Sequence, residues 1–255
     1  MRRIVSSLVA VALFALTAQA FAAGVNLSWN DCGNFGDCNQ SFACDSNGPG
    51  SFSLIGSFVP PAGVNQLTGE ELVVAFQANT NGTMPDWWQM KNAGTCRQNA
   101  LSATCDFTGG PFSCLDYWQG QGGGGIAGWQ VGTAITTSTP GNYARLLMVF
   151  AVPQQLRGPV TEGEQYYAFR AMFSKIKTVG AGACGGCQVP GSFMLTSVKL
   201  TQPVGVGDFV LNQPVDRAHA SWQYGTFTVF DVGYQCPAVT ASKGRTWGSI
   251  KSLYR

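Results

Sequence analysis

The chain has 255 residues, of which 45% are hydrophobic, 11% are charged and 33 are glycine. That supplies enough apolar side chain for a core, and too little charge for a disordered tail protein or a coiled coil. The formal net charge is +2, and setting aside Arg2 and Arg3 leaves 13 basic against 13 acidic residues, so the charge balance gives no ground for nucleic acid as a partner.

The N-terminus reads as an export signal. Arg2 and Arg3 precede an apolar run from Ile4 to Leu16, and Ala18, Ala20 and Ala22 follow at the small-residue spacing a signal peptidase cuts. Residues 1–23 are therefore expected to be removed, leaving a mature chain that is secreted or held at a bacterial cell surface. No later stretch is long and apolar enough to form a transmembrane span.

Val25, Leu27 and Trp29 then alternate with polar neighbours, the period of a strand. Next comes an evenly spaced cysteine triplet, Cys32, Cys38 and Cys44, interleaved with Asp31, Asn34, Asp37, Asn39, Asp45 and Asn47. Oxygen-rich loops can hold calcium. The spacing fits no EF-hand loop, and turn formation explains the same Asn and Asp residues. No cofactor is expected, calcium being the one metal the pattern admits.

Further strands are expected over 51–58 and 72–78. Residues 79–121 read as a long loop carrying Trp87, Trp88, Tyr117, Trp118 and a second cysteine triplet, Cys96, Cys105 and Cys114. It runs into Gly122, Gly123, Gly124 and Gly125, which predict a mobile or unusually shaped backbone. Indole rings on a disulfide-tied loop suit stacking against sugar rings, so Trp87, Trp88, Trp118 and Trp129 are the candidate ligand-binding residues.

Alternation or apolar runs predict strands over 129–135, 143–152, 165–179, 193–200, 209–211 and 226–232, with a turn at Glu162-Gly163-Glu164. Cys184-Gly-Gly-Cys187 has the spacer of a zinc or redox motif, but it lacks a second matched pair and its flanks are glycine-rich loop rather than a helix start. With Cys236 the chain holds nine cysteines, an exported disulfide framework with at least one residue left over.

No catalytic residue is expected. His219 is the single histidine, no Gly-x-Ser-x-Gly elbow is present, and Glu70, Glu71, Glu162 and Glu164 all sit beside turns, where carboxylates are ordinarily solvated. The tail over 239–255 is basic, and Trp247, Ile250, Leu253 and Tyr254 recur at helical spacing, a short amphipathic helix that would dock on the body or serve as a sorting or anchoring signal.

Many short strands between Gly, Pro, Asn and Ser turns make the expected fold all-β: an antiparallel, jelly-roll-like β-sandwich over 24–238 with disulfide-tied loops and a short C-terminal helix. The expected function is a secreted or cell-surface, non-enzymatic binding or structural module, with a saccharide or a cell-envelope component as partner. The alternatives on the same fold are a polysaccharide-active hydrolase and a self-assembling structural surface protein. Sugar stacking predicts exposed tryptophans on one face. Hydrolysis predicts two carboxylates about 5–10 Å apart in a cleft. Assembly predicts buried tryptophans with an exposed strand edge or apolar patch.

Overall fold

The structure, a computed structural model, describes residues 23–215 and 217–227. Residues 1–22 of the expected signal peptide, Cys236, residues 228–232 of the strand expected over 226–232 and the tail with Trp247, Ile250, Leu253 and Tyr254 lie outside the described residues, and Thr226 and Phe227 are described but lie in no strand.

The described residues form eleven strands: β1 Gly24–Trp29, β2 Asn39–Gln40, β3 Ser51–Val59, β4 Gly69–Ala78, β5 Leu101–Thr104, β6 Gly123–Val131, β7 Tyr143–Ala151, β8 Tyr166–Ser174, β9 Gly191–Thr201, β10 Phe209–Leu211 and β11 His219–Trp222. They form two sheets packed as a sandwich, one in the order β1-β3-β8-β5 and one in the order β2-β11-β9-β4-β7-β6, with β10 added to β9. All pairings are antiparallel except β11 with β2.

The period-two alternation places one face of each strand inward. On β7, Ala144, Leu146, Met148 and Phe150 are buried while Arg145, Val149 and Ala151 are exposed. β1 is buried throughout, because the chain beyond β10 closes over its outer edge. Val25 N–H donates to Gln213 O at 2.9 Å, and Leu27 N–H donates to Arg217 O at 3.0 Å. The core centres on an aromatic cluster of Trp29, Trp87, Trp88 and Trp222 with Phe76, Phe173 and Phe193.

Three long-range disulfides staple this body: Cys32–Cys114, Cys44–Cys187 and Cys96–Cys184. Cys38 is also disulfide-bonded, and among the described residues Cys105 is a free, buried thiol. The two cysteines of the CGGC loop thus join two different distant partners, as structural bridges do.

Three expectations need correction. The glycines at 123–125 are the start of strand β6, and its paired stretch ends at Val131, so Thr133 and Ile135 fall beyond it, the former in a 3-10 turn over Gly132–Ala134. The expected long loop contains strand β5 and a 3-10 turn at Asp86–Trp88. The short strands β2 and β11 had too few residues to show a period.

Candidate functional site

The four candidate tryptophans do not form a surface. Trp87, Trp88, Trp118 and Trp129 are 0%, 0%, 1% and 2% exposed. Trp87 stacks on Trp222 at 5.0 Å and is covered on its other side by the Arg97 guanidinium, 3.5 Å from the ring centroid. Trp129 donates its indole N–H to Trp88 O at 3.0 Å, and Trp118 donates to Tyr167 O at 3.1 Å. No ring face is left for a sugar. The physical reason is that Cys96–Cys184 and Cys32–Cys114 tie the aromatic segment to the body, and its indoles fill the core between the sheets.

One of the four still touches a cavity from beneath. At the end of the sandwich where β7 leaves and β8 enters, a cleft of about 420 Å³ opens between the loop from Leu115 to Gln121 and the connection carrying Val152, Leu156 and Pro159, with Trp118 and Tyr166 also in its wall. A second depression, about 480 Å³, lies at Gln154, Gln155 and Arg157, on the same connection.

The walls are fixed by local chemistry. Cys114, bonded to Cys32, anchors the start of the first wall. Asp116 then accepts from the N–H groups of Trp118 at 2.9 Å and Gln119 at 3.1 Å through one carboxylate oxygen. That forms an Asx-type turn, with Gln119 held at φ 46°. Tyr117 spans the gap: its hydroxyl donates to Leu67 O at 2.5 Å and accepts from Gly158 N–H at 3.0 Å. Burial raises the Tyr117 pKa, so it stays neutral and can keep donating. In the second wall Pro153 starts a 3-10 turn, Gln154–Leu156, which carries both glutamines into solvent.

Around this cleft the amides of Gln119, Gln121, Gln154 and Gln155 are exposed, and they have no hydrogen-bond partner among the described residues. At several other positions glutamine is an internal tie. Gln165 donates to Ser57 Oγ at 2.8 Å, Gln188 to Ala43 O at 2.6 Å, and Gln202 to Gly207 O at 2.7 Å. These glutamines had no signal in the sequence, because loop amides follow no period.

The interior behind this end of the sandwich holds two unexpected groups. Glu70, read as solvated, is 1% exposed, and neither carboxylate oxygen has a partner. Its alternation with Leu72, Val74 and Phe76 on β4 carries it inward. Burial raises its pKa well above the carboxylate range. Cys105 is 2% exposed. Its thiol is pushed up to about 12, chiefly by burial. Such a thiol is neither a nucleophile nor a ready metal ligand.

The oxygen-rich first triplet is engaged in hydrogen bonds inside the protein, several of them to distant segments. The Asp31 carboxylate accepts from Tyr167 OH at 3.0 Å, Ser113 Oγ at 2.5 Å and Cys32 N–H at 2.7 Å. Asp37 accepts from Asn30, and Asn47 from the N–H groups of Thr178 and Val179. Among the described residues no group of three or more His, Cys, Asp or Glu is arranged to hold a metal. His219 lies on β11 opposite Met194, and burial lowers its pKa.

No family model and no curated protein matches the chain. Among solved structures it is similar to a cohesin module from the Clostridium perfringens ATCC13124 family 33 glycoside hydrolase, at 9% identity over 78% of this chain and 94% of that one, with a TM-score of 0.33. A likeness at that level carries no argument about function.

Proposed function

We propose that the chain is a secreted or cell-surface, non-enzymatic β-sandwich module, bacterial in origin, that binds an extracellular or cell-envelope polymer at the cleft described above. The export signal read at 1–23 and the three disulfides support an oxidising, extracellular address. The observation that carries the binding reading is a preformed cleft, its walls tied by Asp116 and Tyr117, with exposed amides that have no hydrogen-bond partner among the described residues. A rigid site of this kind loses little conformational entropy when a ligand arrives. Asp116 is the one carboxylate among the residues lining the cleft, whereas glycoside hydrolysis uses a facing pair.

The test is co-sedimentation of the mature, oxidised chain with insoluble polysaccharides and envelope material. Retention should occur, should fall in a Gln121→Ala/Gln154→Ala variant, and should release no reducing ends. Absence of retention, or retention indifferent to the variant, would overturn the cleft as the site. Release of reducing ends would transfer the reading to a hydrolase.

A second reading, self-assembly, is favoured by one feature. β6 ends its sheet, and its nine residues include no charge and no proline. Asn92 caps Trp129 O at 3.0 Å, and the register shifts between Ile126 and Gly128, which blunts one half of that edge. If the edge assembles, sedimentation velocity of the wild-type chain shows concentration-dependent association that Gly123→Lys abolishes. A monomer across the range sinks this reading.

A further inference from the structure

Resting on the cleft as the binding site, we infer that its ligand is a neutral saccharide, held by the side chains of Asp116, Gln119, Gln121, Gln154, Gln155 and Arg157 against an apolar wall. The chemistry of the lining carries the inference. A sugar hydroxyl both donates and accepts, and a carboxamide does the same with two donors and an acceptor on one planar group. Four such amides surround the cleft and its neighbouring depression, each exposed and each without an internal partner among the described residues.

Asp116 adds an acceptor. One of its oxygens is held by Trp118 and Gln119 N–H groups, and the other accepts nothing within the described protein. Arg157 adds a planar fork of donors at the second depression, suited to two adjacent hydroxyls. One negative and one positive group leave the lining electrically balanced, so a charged ligand has no net attraction there.

Val152, Leu156 and Pro159 supply the apolar part, and Leu156 is 44% exposed. Sugar rings present C–H surface on their faces and hydroxyls at their rims, which matches an apolar wall beside polar side chains. An extended peptide would instead seek an open strand edge or a pocket for an apolar side chain. The cleft offers no open strand edge: its walls are loop and 3-10 turn, and Tyr166 at the start of β8 is paired on both sides, with Phe58 and with Leu115. Two depressions flanking one turn also suit a chain of more than one sugar unit.

The experiment is a nitrogen-15 NMR titration of the mature, oxidised chain, following the side-chain amide signals of the four glutamines. The probes are neutral oligosaccharides (cello-, xylo- and manno-oligomers), an oligogalacturonate and a neutral hydrophilic decapeptide. Saturable shifts of those amide signals with a neutral oligosaccharide are expected, weakened roughly 5- to 10-fold by Gln121→Ala or Gln154→Ala, the loss of one or two hydrogen bonds. These residues are exposed, so the variants should fold, and the unchanged remainder of the spectrum checks it. Shifts at the same amides with only the decapeptide or the oligogalacturonate would leave the cleft standing and overturn the saccharide. Binding of any probe with the four amides unmoved would overturn the cleft itself, and so would no binding by all of them.

Discussion

A carboxyl that loses its water and gains no hydrogen bond is held in its neutral form, and Glu70 is such a group. Its folded pKa is raised above the unfolded value near 4.3, so the folded chain retains a proton that the unfolded chain releases. Stability therefore falls as pH rises above the unfolded value, until the folded pKa is passed. Replacing Glu70 with Leu removes this penalty. Urea denaturation should show Glu70→Leu more stable than wild type at pH 8 by roughly 1–3 kcal/mol, with the gap shrinking towards pH 4. A gap that is constant with pH would mean that Glu70 does not titrate on unfolding. Arg97 shows the opposite solution to burial. Its guanidinium is 0% exposed and pulled down to about 9, yet it donates to Trp87 O at 2.8 Å and to Ser174 O and covers the Trp87 ring. The alternation of β4 carries Glu70 inward, but the strand was expected only from residue 72, so its place beside a turn suggested solvent. Nothing in the sequence around Arg97 marked it as buried, because its carbonyl partners are set by the fold.

Strands β3 and β8 show how an element depends on one missing atom. A Cβ on Gly56 would overlap the Phe169 ring, where the register of the two strands shifts. Gly56→Ala should cost about 1–3 kcal/mol by overpacking, read as a lower urea midpoint at unchanged slope. The staples act on loops in the same way. Cys96–Cys184 closes 88 residues and fixes the segment that carries Trp87 and Trp88. The paired variant Cys96→Ala/Cys184→Ala should lose about 2–4 kcal/mol, and its tryptophan emission should shift to the red as the indoles meet water. Unchanged emission would show that packing alone holds them. The cysteines were legible as staples from their number. Their partners were not, because pairing depends on which loops the sheets bring together.

Across the whole molecule, the charge balance expected once residues 1–23 are removed and the one acid and one base lining the cleft and its neighbouring depression give one joint expectation. Binding of a neutral saccharide should change less than about twofold between 0.05 and 0.5 M salt, since hydrogen bonds and apolar contact are not screened as ion pairs are. A steep fall with salt, measured by calorimetric titration, would point to a charged ligand. The sequence by itself determined the fold class, most of the strands and the disulfide-rich character, because alternation and cysteine count are properties of the chain read in order. Only the tertiary structure decided that Trp87, Trp88, Trp118 and Trp129 are core, that Glu70 is buried, that Cys105 is the free thiol among the described residues, and that two glutamines line the cleft and two more the depression beside it. Burial and proximity belong to segments far apart in sequence. An indole or an amide looks the same in a string of letters whether a distant strand covers it or leaves it to water.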